Sequence, residues 1–167
     1  MIFLTVGTQF PFDRLVKAVD MAVDQNLIDE EVFAQIGRSS YVPKNFDAVV
    51  SLEKNKFNRQ IREASSIIGH AGIGSIMMAL ENHKPMLVVP RLKQYGEVVN
   101  NHQLNIAIQF ERRGYLVVAY DTEQLQEKLK VLKGFVPQRR QARAEAVAER
   151  ISRFLSELCG SGDLPEN

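Results

Sequence analysis

Short apolar runs alternate with segments of helical periodicity along most of this 167-residue chain. The runs predict strands at 2–6, 32–36, 48–52, 66–69, 86–89 and 115–119, and the periodic segments predict helices at 12–23, 57–64, 73–80, 100–110 and 122–132. A parallel strand pair needs a crossover, usually a helix, to return the chain to the same end of the sheet. The alternation therefore predicts an α/β fold, a doubly wound parallel sheet in a single Rossmann-like domain.

Charge and cysteine content exclude several classes of protein. Lys and Arg number 21 against 20 Asp and Glu, so no overall field attracts nucleic acid, and we expect no nucleic-acid partner. The single cysteine, Cys159, excludes an internal disulfide and fits a cytoplasmic chain. The three His residues are not spaced like metal ligands, so we expect no metal. Residues 2–6 are too short for a signal peptide, and no apolar run approaches the roughly 20 residues that cross a bilayer.

The segment 66–80 has the sequence pattern of an anion site, because an apolar strand passes through a small-residue turn into a helix. Glycines let a ligand approach the backbone, and the first turn of a helix offers free N–H groups with partial positive charge. We therefore predict a diphosphate site formed by His70, Gly72, Gly74 and Ser75, with a structural histidine as the alternative for His70.

NAD is a weaker interpretation of the same segment. The dinucleotide fingerprint G-x-G-x-x-G needs a third glycine, and Met77 stands where it would fall. The loop also lies in the middle of the chain instead of after the first strand. A nucleotide other than NAD is favoured, with an NAD-dependent oxidoreductase left as an alternative.

Ligands of doubly wound sheets bind beyond the carboxyl ends of the strands, where the strand order reverses. The loops that follow Val6, Ile36, Leu52, Gly69 and Val89 are therefore expected to form one surface. In the first of these loops we predict that Gly7, Thr8 and Gln9 contact the diphosphate. The alternative is that they only form a tight turn between strand and helix.

The C-terminal part has a different pattern. Pro137 begins a basic, Ala-rich segment whose apolar stripe predicts an amphipathic helix at 137–158, followed by a frayed tail at 159–167. The helix is expected to dock on its own domain, which would then span 1–158. The alternatives are contact with a partner or a membrane surface, and an exposed stripe would also support a homo-oligomer.

Three motifs in order resemble one family, namely TVGTQ at 5–9, GHAGIGS at 69–75 and NNHQ at 100–103. Over most of its length the chain resembles the C-terminal domain of family 28 glycosyltransferases. It is more closely similar to the short free-standing members, the PssE-type subunits of bacterial exopolysaccharide transferases and the catalytic subunit of the eukaryotic dolichol-linked UDP-GlcNAc transferase. The segment PRLKQYGE at 90–97 favours the bacterial branch.

The resemblance implies the donor-binding half of a GT-B enzyme, with a UDP-sugar as substrate and no cofactor or metal. The acceptor would be a lipid-linked sugar, and the acceptor half would be a membrane-anchored PssD-type subunit that recruits this chain to the cytoplasmic face of the membrane. The general base is expected on that partner, so His70 is only a secondary candidate, and this chain would stabilise charge on the departing UDP. The alternative is a non-catalytic UDP-sugar-binding module that assists a partner transferase.

The resemblance also implies sugar and ribose contacts in the segment 91–103. His102 and Gln103 would hold sugar hydroxyls, with helix-surface polarity as the alternative, and Asn101 would cap the helix. Arg91 suggests a charged sugar such as glucuronate, and Glu97 suggests contacts with ribose or sugar hydroxyls.

One position departs from the family pattern. Many relatives hold the ribose with a Glu where this chain has Met78, so ribose recognition is expected to be weaker or to come from elsewhere. Uracil is expected at the backbone of residues 52–53.

Overall fold

The computed structural model of the chain describes residues 1–139. Within that range the strands are β1 (Ile2–Thr5), β2 (Val32–Gln35), β3 (Asp47–Val49), β4 (Ser66–His70), β5 (Met86–Val89) and β6 (Val117–Val118). The α-helices are α1 (Asp13–Asp24), α2 (Lys54–Glu63), α3 (Ile73–Glu81), α4 (His102–Glu111) and α5 (Leu125–Gly134). Single 3₁₀ turns lie at Lys93–Tyr95 and Thr122–Gln124.

The strands form one parallel sheet in the order β3-β2-β1-β4-β5-β6. In the register of the central strands, Thr5 of β1 lies between Gln35 of β2 and Gly69 of β4. The order reverses between β1 and β4, which opens a crevice above their carboxyl ends. The predicted doubly wound parallel sheet is confirmed.

Two apolar clusters fill the faces of the sheet. Because side chains alternate along a strand, Leu4 of β1 packs into one cluster with α1 and α5, and Phe3 packs into the other with α2, α3 and α4. Both side chains are fully buried. Helices therefore cover both faces and leave the carboxyl edge of the sheet as the place for a ligand.

Some boundaries differ from the prediction. The strand predicted at 48–52 ends at Val49, and the backbone N–H of Leu52 instead donates to the side chain of Gln35 at 3.0 Å. The helix predicted at 122–132 starts with a 3₁₀ turn, where the Asp121 carboxylate accepts from the N–H of Thr122.

The structure tests the predicted C-terminal helix only at its first residues, and there the prediction is wrong. Pro137 was expected in the first turn of a helix, but residues 137–139 have no regular secondary structure. The rest of the predicted helix and the tail at 159–167 lie outside the described residues. Of the helices in residues 1–139, none combines the length and apolar character needed to cross a membrane.

A buried carboxylate fixes the loop between β2 and β3 on α1. Asp20 is 2% exposed and accepts from the Tyr41 hydroxyl at 2.6 Å and from the backbone N–H groups of Lys44 and Asn45 at 3.1 and 2.9 Å. Burial raises the pKa of Asp20, but these hydrogen bonds outweigh it and hold the pKa below its usual value. The loop is thereby anchored on α1.

Candidate functional site

A cleft of about 390 Å³ lies at the crevice between β1 and β4. Its walls come from the β1–α1 loop, the end of β4 with the start of α3, and the segment that follows β5. The lining residues are Val6, Gly7, Thr8, Gln9, Phe10, His70, Gly72, Gly74, Ser75, Arg91, Val98 and Gln103. The structure thus brings together the residues predicted for the diphosphate, from both glycine-containing loops.

The β1–α1 loop turns at Gly7, whose φ is +73°. A side chain there would be strained, and its Cβ would lie 3.0 Å from Nε2 of His70. The polar side chains of Thr8 and Gln9 are exposed beside this turn. The loop therefore places a backbone turn and two polar groups next to the imidazole.

The start of α3 forms the opposite wall. Gly72 is the N-cap residue and supplies no capping side chain, so the N–H groups of the first turn receive no side-chain cap. A Cβ on Gly72 would lie 2.1 Å from Cε1 of His70, whereas a Cβ on Gly74 would meet nothing within 4 Å. Gly72 makes room for the imidazole ring, and Gly74 leaves the helix backbone open to a ligand. The helix dipole favours an anion at this end.

His70 ends β4 between these two walls. Burial lowers the pKa of His70 to about 4, and the positive charge of Arg91 acts in the same direction. The ring is therefore neutral at pH 7 and is a weak proton acceptor. It can still offer one N–H to a phosphate or a hydroxyl.

Arg91 forms the floor of the cleft with a side chain that is 3% exposed. Its guanidinium donates to the carbonyl oxygens of Val6 at 2.5 Å and Phe10 at 2.8 Å, and its Cζ lies 4.9 Å from the ring centre of Phe12. Burial lowers the pKa of Arg91 to about 10, so the group stays charged at neutral pH. Arg91 thus holds the β1–α1 loop in place, a role that the sequence did not indicate. A contact with a charged sugar stays a prediction.

Gln103 reaches the cleft from the first turn of α4. Its Oε1 accepts from the backbone N–H of Arg91 at 3.1 Å, and its Nε2 lies 3.4 Å from Nδ1 of His70. One amide therefore connects two walls of the site.

The other residues predicted for sugar or ribose are not among those that line the cleft. Both oxygens of Glu97 are bonded to the guanidinium of Arg14, and one also accepts from the N–H of Leu92. His102 is exposed at the start of α4. Contacts of Glu97, Asn101 and His102 with a sugar or ribose stay predictions.

The predicted cap of α4 is wrong in its side chain. Asn101 occupies the N-cap position but makes no capping bond, and its Oδ1 accepts from Lys93 instead. The preceding residue supplies the bond, because Oδ1 of Asn100 accepts from the N–H of His102 at 3.0 Å.

Two of the five loops expected on the surface do not line the cleft. The loop after β2 turns onto α1, where Ser39 accepts from the N–H of Phe12 and Ser40 bonds to Asp13. Near the predicted uracil position, the backbone N–H of Leu52 already donates to the side chain of Gln35.

Met78, at the position of the family's ribose-binding acid, packs against the apolar cluster under α3.

No group of three or more His, Cys, Asp or Glu residues that could hold a metal ion occurs in residues 1–139.

A second cavity, of about 110 Å³, lies at the amino ends of the strands, opposite the cleft, and is lined in part by Leu27, Leu129 and Leu132. It therefore has no part in the predicted anion site.

The sheet order and the cleft at its crossover define a Rossmann-like domain of the kind that forms half of a GT-B glycosyltransferase. The crystal structure of the kitacinnamycin glycosyltransferase is similar to this chain, with a TM-score of 0.58 and 20% sequence identity. The match covers 95% of this chain and 39% of the kitacinnamycin enzyme's chain. The chain belongs to the glycosyltransferase family 28 C-terminal domain, whose model matches residues 1–158. The predicted family resemblance is confirmed.

The similar proteins include the UDP-N-acetylglucosamine transferase subunit ALG13. The human protein is 35% identical over 124 residues, which cover 69% of this chain and 10% of the human protein. The mouse protein is 34% identical over 123 residues and is also matched over 10% of its length. This chain therefore matches about a tenth of these relatives. The solution structure of ALG13 covers 90% of this chain and 93% of its own, with a TM-score of 0.55 and 19% identity.

Proposed function

We propose that this chain is the donor-binding catalytic subunit of a two-component inverting glycosyltransferase. It binds a UDP-sugar, and the complex transfers the sugar to a lipid-linked acceptor in exopolysaccharide or capsule biosynthesis. The observation that carries the proposal is the cleft in which the Gly7 turn, the uncapped start of α3 and His70 converge. Its volume of about 390 Å³ falls within the range of small-molecule sites.

The chemistry of the cleft suits a diphosphate. Uncapped N–H groups at the start of α3 and the polar side chains of Thr8 and Gln9 offer donors from two sides. Hydrogen bonds to a charged phosphate are worth about 1.5–3 kcal/mol each. Since negative charge grows on the UDP as the sugar leaves, these donors would stabilise the transition state more than the ground state.

The names of the similar proteins support a second component. The human and mouse relatives are both named as subunits of a transferase. We propose that a membrane-anchored PssD-type subunit supplies the acceptor half and the general base. That subunit would also bring this chain to the cytoplasmic face of the membrane.

The alternative is a UDP-sugar-binding module without a catalytic part. A transfer assay on the complex purified through a tag on this chain separates the two. Each variant is assayed with UDP-glucose, UDP-glucuronate and UDP-GlcNAc, which also identifies the sugar.

If the chain is catalytic, His70→Ala and Gly74→Val lower turnover at least roughly 100-fold, because each removes or blocks part of the charge-stabilising site. Lys130→Ala, at an exposed position of α5, is the matched control and should keep wild-type turnover. Full turnover by the cleft variants would make the chain an assisting module.

A further inference from the structure

We propose that Gln103 is a positioning residue that holds His70 in the tautomer with its proton on Nε2. That N–H then donates into the cleft. The proposal rests on the proposed function only for the acceptor of this hydrogen bond, which would be the donor's diphosphate. It gives Gln103 a role different from the sugar contact that the resemblance implied.

The orientation of the Gln103 amide follows from a backbone group. A backbone N–H can only donate, so the Gln103 atom 3.1 Å from the Arg91 nitrogen is the oxygen, Oε1. The amide nitrogen, Nε2, is therefore the atom that lies 3.4 Å from Nδ1 of His70. An amide nitrogen has hydrogens and no free lone pair, so Nδ1 of His70 must accept.

The tautomer of His70 follows in turn. A neutral imidazole carries one proton, and if Nδ1 accepts, that proton is on Nε2. The ring is kept neutral by its burial and by the charged group that faces it, Arg91, which lower its pKa to about 4. The two causes together exclude the doubly protonated ring at neutral pH.

The Nε2–H of His70 also lies on the side of the ring that faces the cleft. A Cβ on Gly7 would lie 3.0 Å from Nε2, and a Cβ on Gly72 would lie 2.1 Å from Cε1. Both glycines line the cleft, so the protonated edge of the imidazole lies between the two loops that would hold the diphosphate. Gln103 has used both ends of its amide inside the protein, and it therefore acts on the ligand through His70.

Nitrogen NMR tests the tautomer without any ligand. In protein labelled with ¹⁵N-histidine, long-range ¹H–¹⁵N spectra distinguish a protonated ring nitrogen from an unprotonated one. For His70 at pH 7 we expect the protonated signal at Nε2 and the unprotonated signal at Nδ1. A proton on Nδ1, or equal populations of both tautomers, would overturn the proposal.

The variant Gln103→Glu tests the consequence for binding. Its carboxylate accepts a hydrogen bond from Nδ1–H of His70, so the neutral ring presents a lone pair at Nε2, and only the protonated ring donates there. The affinity for UDP-GlcNAc, measured by calorimetry, should then fall roughly 10- to 100-fold as pH rises through the new pKa of the ring. Wild type should show no such step between about pH 6 and 8.

The control variant is Asn105→Asp, which adds a carboxylate at an exposed position of the same helix. It should bind with the flat profile of wild type. In a His70→Gln background, Gln103→Glu should add no pH step, because the residue through which it acts is gone.

A flat profile in Gln103→Glu, or the same step in Asn105→Asp, would overturn the role of Gln103. Wild type that binds no UDP-sugar while the Nε2–H signal is present would instead remove the proposed function and leave the tautomer assignment intact.

Discussion

Arg14 and Glu97 form a two-point ion pair, with Nε 2.9 Å from Oε1 and Nη2 2.9 Å from Oε2. The third nitrogen of the guanidinium, Nη1, donates to Asp121 at 3.1 Å, and its Cζ lies 4.3 Å from the ring centre of Tyr95. The pair joins α1 to the segment between β5 and α4. Since Arg91 lies in that same segment, the ion pair helps to fix one wall of the cleft.

We expect Arg14→Ala to lower the free energy of unfolding by about 2–4 kcal/mol, because it leaves the Glu97 carboxylate, which is 9% exposed, without its charge partner. The matched control is Arg59→Ala, which breaks a pair with Glu63 whose side chains are both 60% exposed, and which should cost less than about 1 kcal/mol. Urea denaturation measures both. Equal losses in the two variants would show that the Arg14–Glu97 pair contributes no more to stability than an exposed ion pair.

The carboxylate of Asp20 should contribute as much to the free energy of unfolding as the Arg14–Glu97 pair does. Asp20→Ala leaves the backbone N–H groups of Lys44 and Asn45 and the Tyr41 hydroxyl without the carboxylate that accepts from them, so we expect a loss of about 2–4 kcal/mol. Asp24→Ala, on the same helix at an exposed position, should change stability by less than about 0.5 kcal/mol. Thermal denaturation compares them, and a melting temperature of Asp20→Ala equal to that of Asp24→Ala would refute the anchoring role.

The low pKa of His70 predicts a loss of stability on acidification. The folded ring takes up a proton near pH 4 and the unfolded ring near its ordinary value of 6.5, so between these values the unfolded state binds more protons. The contribution is complete above about pH 6.5 and is lost as pH falls toward 4, on the order of 3 kcal/mol in all.

The comparison for this prediction is His70→Gln, whose side chain does not titrate. Urea midpoints of the two proteins, measured from about pH 7 to pH 4, should converge as the wild type loses the His70 contribution. A constant difference between the two proteins over this range would contradict the pKa assigned to the ring.

Gly72, the N-cap of α3, and Gly74, in its first turn, should respond in opposite ways to substitution by alanine. Gly72→Ala puts a Cβ 2.1 Å from the His70 ring and should destabilise the protein by about 1–3 kcal/mol. Gly74→Ala meets open space inside a helix and should keep or raise stability, by up to about 1 kcal/mol. If the cleft holds UDP, the same methyl group should weaken UDP binding. Thermal melts with and without UDP give both results, and unchanged UDP stabilisation in Gly74→Ala would contradict the assigned site.

The strand and helix pattern was predictable because it depends on local periodicity. Parallel strands buried on both faces give short apolar runs, and the glycines at 69–75 predict the turn between β4 and α3. The boundaries of β3 were not predictable, since they are set by the bond from Leu52 to Gln35, which depends on how two separate segments meet.

The sequence also did not reveal which polar side chains form hydrogen bonds within the protein and which can bind a ligand. Arg91 suggests a charged sugar because a guanidinium suits carboxylates, yet its Nη2 donates to the carbonyl oxygens of Val6 and Phe10, more than 80 residues away. The partner of Glu97 is Arg14, 83 residues away. Such pairings follow from the strand order, which places the loops after β1 and β5 at the same edge of the sheet.

A UDP titration of the ¹⁵N-labelled chain, followed by NMR, tests whether the cleft between β1 and β4 binds the diphosphate of a UDP-sugar. Because the walls of the cleft are already formed, we expect saturable shifts of the backbone amide signals of residues 7–9 and 72–75, at UDP concentrations up to about 5 mM. NAD, titrated in the same way, should leave those signals in place. Amide signals that stay fixed with UDP, or that move only outside the two loops, would show that the cleft does not hold the diphosphate.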